Sequence, residues 1–443
     1  MNVLGLGVSE HILQGAQSQA RMVRGGEPPL ASWREMRDWH ERREKSRNLL
    51  SAGRISRIPP LWQYLVVAGW AAVWIPTAEL HPAISWHYFR TGEQLLVDGA
   101  PGGGLALYAS HPELQIGPVS FLAATAFAPF CFHVGEELAD AFMCGLGLCI
   151  LVLLSRTAAH HCRDTGIDLH RPQRSLLIAG AAFAPAWVDV SVYSWVDVSV
   201  YFGHLDDVLA LLFTAFAVHA LVRGHADAVG ILLALAIDSK PWAAGFLPLL
   251  LVLPRTARLR SAAIVTALVA VAWLPFYLSH PGSTAAARFT ILNHPASALR
   301  WLGVHAPSTP WWDRPAHMLL AVALGALAVR RRRWPAVVLL GVDARILLDP
   351  GVHSYYNASV LVGTLIWDVI GEHRRVPWVS WTAFVALYGA ELCIPSYPAR
   401  GLVRLALVLA TAAYVLFWPR RTQYPLTHPS LPRDAPPLRR GFV

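Results

Sequence analysis

The sequence predicts an all-α polytopic membrane protein with about eleven transmembrane helices, in a range of roughly 10 to 13. The first observation is composition: 55% of the 443 residues are hydrophobic and 15% are charged. The apolar runs are too many and too long for the core of a soluble protein. The second is that many of the 18 tryptophans stand at the ends of those runs, where an amphipathic ring suits the membrane interface. The third is the placement of arginines in short loops between the runs, which is typical of cytoplasmic loops.

Basic segments alternate with less basic turns, and this alternation predicts which side of the cell membrane each turn faces. The segments predicted to be cytoplasmic are Arg156–Arg174, Arg223, Arg255–Arg260, Arg330–Arg333, His373–Arg375 and Arg420–Arg421. The turns predicted to face outside lie at about residues 190–207, 238–242, 280–314, 349–356 and 395–400. We therefore expect a multi-pass protein of the cell membrane with both termini in the cytoplasm.

Composition also divides the chain into three segments. Residues 1–57 are a basic leader that is predicted to lie on the anionic inner leaflet, and no cleavable signal peptide is expected before the first apolar run. Residues 58–418 form the integral membrane domain, and residues 419–443 form a cytoplasmic tail rich in proline and arginine. The net charge of +9 does not indicate a nucleic-acid partner, because the arginines act as topology signals.

One apolar run, at residues 119–132, does not fit the alternation as a full span. It is short and lies between Pro118 and Pro129. The alternation requires an odd number of crossings in this part of the chain. We therefore predict a half-span that packs on protein, since irregular backbone at membrane depth is tolerated only where it is buried or lines a cavity.

Two polar motifs interrupt the apolar runs and are the strongest indication of a site. The first polar motif is Gly203–Asp207, which opens a span, and the second polar motif is Asp238–Trp242, which closes the next one. Ionisable groups at the end of a span are costly, so they are a functional-site hypothesis by default. Because two spans separate the motifs, they are predicted to lie on the same side and to converge. The alternative is a pair of solvated loop ends with ordinary helix caps.

The predicted outer loops carry further candidate residues. Loop one, Thr77–Pro118, is long for a connection, and its segment Ser85–Val97 predicts a short amphipathic helix at the interface. The loop Pro281–Arg314 is basic and aromatic. Its Arg288 and Arg314 either hold an anionic phosphate or belong to an ordinary interfacial aromatic belt.

The last third of the chain adds two pairs of polar residues. Asp343 and Arg345 lie within an apolar run, and we predict that these two charges pair with each other. His353 and Tyr356 follow at another predicted outer rim.

Three motifs carry a resemblance to a known family. They are Phe-Arg-x-Gly at residues 89–92, Gly-His-x-Asp-Asp at 203–207 and Lys-Pro at 240–241, with a weaker likeness at 349–368. With these motifs, about residues 61–418 resemble the GT-C membrane glycosyltransferases. The nearest likeness is to the actinobacterial polyprenyl-phosphate-mannose-dependent mannosyltransferases and their uncharacterised relatives.

The resemblance implies a fold, a reaction and a set of partners. A GT-C-like enzyme moves a sugar, here mannose, with inversion from a polyprenyl phosphate donor to a lipid or glycan acceptor on the outer face. In the family a carboxylate of loop one is the general base. In this chain Phe89 fills the aromatic position of that motif and Ser85 stands where the family has aspartate. A nearby histidine, His87, is therefore a candidate base, because imidazole accepts protons near neutral pH.

The residues and the resemblance together give a predicted site. The candidate catalytic residues are His87, His204, Asp206 and Asp207. The candidate substrate-binding residues are Arg90, Glu93, Lys240, Trp242, Arg288, Arg314, His353 and Tyr356. No cofactor is predicted, and no metal, because three ligands on one short loop form a crowded cage. The alternative function is a catalytically inactive relative or a lipid- or ion-coupled transporter, since carboxylates at membrane depth also serve proton coupling.

Overall fold

The computed structural model describes residues 84–97, 101–114, 116–165, 173–180, 183, 204–286, 290–353 and 355–418, together with positions 65 and 69. The predicted leader, the predicted tail and Arg288 lie outside the described residues.

The described residues are predominantly helical, and no β-strand occurs among them apart from one isolated bridge between Leu292 and Ser308. The α-helices are α1 (Ile84–Val97), α2 (Leu107–Ser110), α3 (Pro118–Ala124), α4 (Phe132–Thr165), α5 (Leu205–Val222), α6 (Ala226–Ser239), α7 (Arg255–Ser279), α8 (Pro281–Ala286), α9 (Ala298–Trp301), α10 (Asp313–Arg330), α11 (Val337–Leu348), α12 (Tyr356–Ile366), α13 (Trp378–Phe384), α14 (Ala390–Cys393) and α15 (Tyr397–Phe417). Shorter 3₁₀ and π segments lie at Gly104–Ala106, Thr125–Phe127, Pro241–Val252, Trp334–Ala336, Trp367–Gly371 and Val385–Gly389.

Among the described residues, four helices are long and apolar enough to cross a membrane. The first is Phe132–Arg163, which makes up most of α4, and the other three are α5, α7 and α15. Three shorter apolar helical segments occur at Pro118–Phe127, Pro241–Val252 and Tyr356–Gly371. The all-helical, membrane-type fold is therefore confirmed, whereas the count of eleven crossings and their orientation stay predictions. The segment Pro118–Phe127 is too short for a full span, in agreement with the predicted half-span.

Helices α5 and α6 are joined by a short turn, the 3₁₀ segment Pro241–Val252 lies between α6 and α7, and α6 packs on both α5 and α7. A glycine permits the close approach of α6 to α7, because a Cβ at Gly230 would lie 2.8 Å from the carbonyl oxygen of Ser261. The hydroxyl of Ser261 in turn donates a hydrogen bond to the carbonyl of Ala226. These contacts hold the first part of α6 against α7.

Loop one is attached to the C-terminal end of α6, where the second polar motif begins. The backbone N–H of Gly117 and the hydroxyl of Ser120 both donate to the carbonyl of Ser239, at 3.0 Å and 3.2 Å. A Cβ at position 117 would come within 1.9 Å of the carbonyl oxygen of Asp238, so only glycine permits this approach. The end of loop one is therefore fixed against the second polar motif.

Candidate functional site

The first turn of α5 carries the two carboxylates of the first polar motif. His204 occupies the N-cap position, and Asp206 and Asp207 follow where the partial positive charge of the helix N-terminus favours carboxylates. Asp206 also accepts a hydrogen bond from the backbone N–H of Asp207 at 2.9 Å. The two aspartates are 1% and 0% exposed. Adjacent buried carboxylates repel each other, so they need cationic partners.

Two cations from distant parts of the chain neutralise the pair. The ammonium of Lys240, which follows α6, contacts the carboxylate of Asp206 directly and lies 3.5 Å from that of Asp207. The guanidinium of Arg345 in α11 donates to Asp207 at 2.8 Å. Two negative charges thus meet two positive ones in a buried site, and the predicted convergence of the two polar motifs is present. Removal of one partner would leave a buried charge uncompensated.

Aromatic side chains enclose these charges. The indole N–H of Trp242 donates to Asp207 at 2.9 Å. The guanidinium carbon of Arg345 lies 4.5 Å from the ring centre of Trp242 and 3.9 Å from that of Tyr356, within the range of a cation–π interaction. The imidazole of His204 stacks on the ring of Tyr355 with 3.7 Å between centroids. The side chains of the network therefore hold one another in place.

A further carboxylate, Asp349, continues the network beyond Arg345. It accepts hydrogen bonds from the backbone N–H of Gly351 at 2.8 Å and from the hydroxyl of Tyr356 at 2.9 Å. Burial raises the pKa of Asp349 above its ordinary value, although Arg345 opposes the shift. His353 lies against the rings of Tyr355 and Tyr356, and burial lowers the pKa of His353 to about 3. The imidazole of His353 is therefore neutral at physiological pH.

The second polar motif also contacts the surroundings of loop one. The indole N–H of Trp273 in α7 donates to the carboxylate of Asp238 at 3.1 Å. The same indole stacks on the ring of Tyr108 in loop one, with centroids 5.1 Å apart. Loop one, α6 and α7 therefore meet beside the charged network.

Three residues of the first polar motif have the arrangement of a possible metal site. His204, Asp206 and Asp207 each offer a ligand atom, and these atoms lie within 4.8 Å of one another. The ammonium of Lys240 contacts both carboxylates, so it stands where a bound cation would compete with it. We assign no metal step to this site, and the predicted lack of a metal stays a prediction.

The predicted pairing of Asp343 with Arg345 is wrong. Asp343 accepts a hydrogen bond from the hydroxyl of Thr411 in α15 at 2.8 Å, whereas Arg345 bonds to Asp207. The physical reason is helical geometry, because residues two positions apart on a helix do not face each other. Both charges are buried, at 1% and 3% exposure, but on different faces of α11.

The predicted contact between His87 and the acidic pair is not present among the described residues. The predicted amphipathic helix exists as α1, which buries Trp86 and Phe89, while His87 is exposed and its ring nitrogen lies 3.5 Å from the Thr91 hydroxyl. The apolar residues decide which face turns inward, and His87 lies on the other face. Its predicted catalytic role stays untested.

The remaining predicted binding residues take different positions. Arg90 and Glu93 form an ion pair at 3.2 Å within α1, and Arg90 also donates to the carbonyl of Ala128, so Arg90 ties α1 to the segment after α3. Arg314 is exposed at the start of α10 and lies in the electrostatic surroundings of Asp313 and Asp349.

Three residues of the network were not among the predicted site residues: Arg345, Asp349 and Tyr355. One signal for Arg345 was available, since an arginine in the middle of an apolar run is a functional hypothesis in its own right. The sequence does not indicate the partner of Arg345, because Asp207 lies 138 positions away along the chain.

Comparison of the chain with protein-family models, with curated proteins and with solved structures gives no significant match. The resemblance to the GT-C glycosyltransferases therefore rests on its motifs, and function has to be argued from the chemistry of the site.

Proposed function

We propose that the protein is a membrane glycosyltransferase that moves a sugar from a polyprenyl phosphate to a hydroxyl of a lipid or glycan acceptor. In the mannosyltransferases that the sequence motifs resemble, this sugar is mannose. The observation that carries the proposal is the buried network of Asp206, Asp207, Lys240 and Arg345 at the first turn of a membrane-type helix. Such a network combines an acceptor for protons with cations for a leaving phosphate, which are the two requirements of this reaction.

His204 is the proposed general base. Its Nδ1 lies 3.5 Å from the carboxylate of Asp206, which orients the ring, and we assign Nε2 as the atom that accepts the proton. In the reaction, Nε2 takes the proton of the acceptor hydroxyl while that oxygen attacks C1 of the sugar. The bond between C1 and the phosphate oxygen breaks, its electron pair stays on the phosphate, and the configuration at C1 inverts.

Lys240 is the proposed partner of the leaving phosphate. Its side chain is 16% exposed, whereas that of Arg345 is 4% exposed, so Lys240 is the cation of the network that a ligand reaches more readily. An ammonium can exchange a carboxylate contact for a phosphate contact without a fixed geometry. Arg345, held between Asp207 and two aromatic rings, instead positions the acidic pair.

Ion-coupled transport is a second candidate, and Asp343 is the observation that favours it. This carboxylate is buried within α11 and contacts Thr411 in α15, away from both ends of α11. Asp206 and Asp207, in contrast, stand in the first turn of α5, at the end of a candidate span. Coupling groups are expected near the middle of the bilayer, whereas transfer to an acceptor at the surface needs its carboxylates at the rim, so the position of the pair favours transfer.

The test uses the full chain reconstituted in liposomes that contain polyprenyl-phosphate-mannose and a glycolipid extract as acceptor. We expect release of polyprenyl phosphate, a rate about 10²–10⁴-fold lower for His204→Gln, and donor binding about 1.5–3 kcal/mol weaker for Lys240→Met. Asp227→Asn is the matched control, because Asp227 pairs with Arg260 and both side chains are about half exposed or more.

Two outcomes would overturn the proposal: a wild-type protein that releases no polyprenyl phosphate, or a His204→Gln variant that works at the wild-type rate. Proton-driven solute uptake that Asp343→Asn abolishes would establish the transporter instead.

A further inference from the structure

Among the described residues, two buried polar side chains of α10 each have one atom without a hydrogen-bond partner. Asp313 is 4% exposed and His317 is 8% exposed. Within the part of the chain that the structure describes, Oδ1 of Asp313 and Nε2 of His317 make no hydrogen bond. The residues are four positions apart in one helix, so their side chains lie on the same face, one turn from each other. Buried polar atoms without partners are costly, so a water, an ion or a ligand is expected to satisfy them.

This pair belongs to the surroundings of the charged network. The carboxylate of Asp313 lies within electrostatic range of Asp349, and the imidazole of His317 lies within that of Arg345. Asp349 is bonded to Tyr356, and the ring of Tyr356 lies against Arg345, which bonds to Asp207. Helix α10 also packs against α11, which carries Arg345, so the pair lies near the network that reaches Asp207.

The chemistry of the pair selects the class of ligand. A carboxylate oxygen accepts hydrogen bonds, and an imidazole nitrogen accepts or donates according to its tautomer, so neutral hydroxyl groups satisfy both. A phosphate would present acceptor oxygens to Oδ1 of Asp313, which needs a donor, and an apolar chain would leave both atoms without partners. Trp311 and Trp312 directly precede Asp313, and Trp311 is 76% exposed. Amphipathic rings of this kind suit the apolar face of a sugar ring.

We propose that Asp313 and His317 bind the hydroxyl groups of the sugar carried by the lipid donor, beside the phosphate position at Lys240. This subsite rests on the proposed glycosyl transfer and assigns it a sugar-recognising element on α10. The subsite binds a neutral hexose and does not contribute to binding of the lipid phosphate.

The experiment compares two probes on the full chain in detergent micelles: polyprenyl-phosphate-mannose and polyprenyl phosphate without sugar. For Asp313→Asn and His317→Phe we expect about ten- to hundredfold weaker binding of the mannosylated lipid, as for loss of a hydrogen bond to a charged or buried group, with unchanged binding of the bare lipid phosphate. Lys240→Met is expected to weaken both probes. Asp227→Asn, at an exposed ion pair, is expected to weaken neither.

Equal binding of both probes by wild-type and Asp313→Asn protein would overturn the subsite and leave the unpartnered atoms to ordered water. Loss of binding of both probes in Asp313→Asn would overturn it as well, because the residue would then act on the phosphate or on folding.

Methyl α-mannoside separates this inference from the proposed function. If wild-type protein binds the mannoside, Asp313→Asn does not, and neither lipid binds, the sugar subsite is supported and the polyprenyl phosphate donor is ruled out. If it binds none of the three probes, both fall.

Discussion

Helices α5 and α7 are equally apolar by hydropathy, yet they occupy opposite environments. In an apolar stretch of 18 residues from each helix, 72% of the residues of α5 are buried in protein, but only 17% of those of α7. Helix α5 packs against α4, α6 and the 3₁₀ segment Pro241–Val252, whereas α7 leaves residues such as Val271 and Leu278 more than 70% exposed. The first is an interior helix of the bundle, and the second presents its apolar surface to the surroundings.

The position of the charges explains the difference. Asp206 and Asp207 stand in the first turn of α5 and need cations, which Lys240 and Arg345 supply from neighbouring elements. Helix α7 begins with exposed arginines that need no buried partner. Hydropathy therefore identifies both as membrane-type helices, but buried charge distinguishes the helix on which the site is built.

The largest expected effect comes from breaking the buried ion pair of α5. Arg345→Ala should lower the free energy of unfolding by about 3–5 kcal/mol, because it leaves Asp207 buried without its guanidinium partner. The matched change outside the site, Arg260→Ala, breaks an exposed pair with Asp227 and should cost about 0–1 kcal/mol. Denaturation of both variants in mixed detergent micelles measures the two costs. Equal losses would mean that the enclosure of α5 does not strengthen its ion pair.

A smaller effect is expected from the apolar faces of the same two helices. Leu211 in α5 is 0% exposed, and Leu211→Ala should cost about 2–4 kcal/mol through the cavity that it leaves. Leu278 in α7 is 72% exposed, and Leu278→Ala should change the free energy of unfolding by less than about 0.5 kcal/mol. Thermal denaturation in one detergent compares them. A larger loss for Leu278→Ala would contradict the assignment of α7 to the periphery.

The last expected effect is confined to acid and is a pH dependence at the enclosed end of α5. Burial lowers the pKa of His353 to about 3, below the ordinary value of 6.5, so the unfolded chain binds a proton before the folded protein does. The contribution of His353 to stability is therefore fully present above pH about 6.5 and is lost as the pH falls from there towards 3. His353→Gln should be less sensitive to acid over this interval. Identical pH profiles of unfolding for the two proteins would show that His353 titrates normally.

Some features of the molecule follow from the sequence by itself. The apolar runs predict membrane-type helices, and the amphipathic segment Ser85–Val97 predicts a helix that the structure has as α1 at Ile84–Val97. The proline-bounded run after loop one predicts a short segment, which is present as Pro118–Phe127. These predictions succeed because hydrophobic periodicity, chain length and proline are local properties. They act within a single element, whatever packs against it.

Only the tertiary structure decides which side chains meet. Arg345 pairs with Asp207 and not with its sequence neighbour Asp343. His87 lies on the exposed face of α1, because Trp86 and Phe89 take the buried face. Helical periodicity fixes the direction of a side chain relative to its own axis, but it does not fix the neighbouring helix on that side. The sequence therefore determines where charges enter the apolar bundle, and the packing of distant helices determines which opposite charge each one finds.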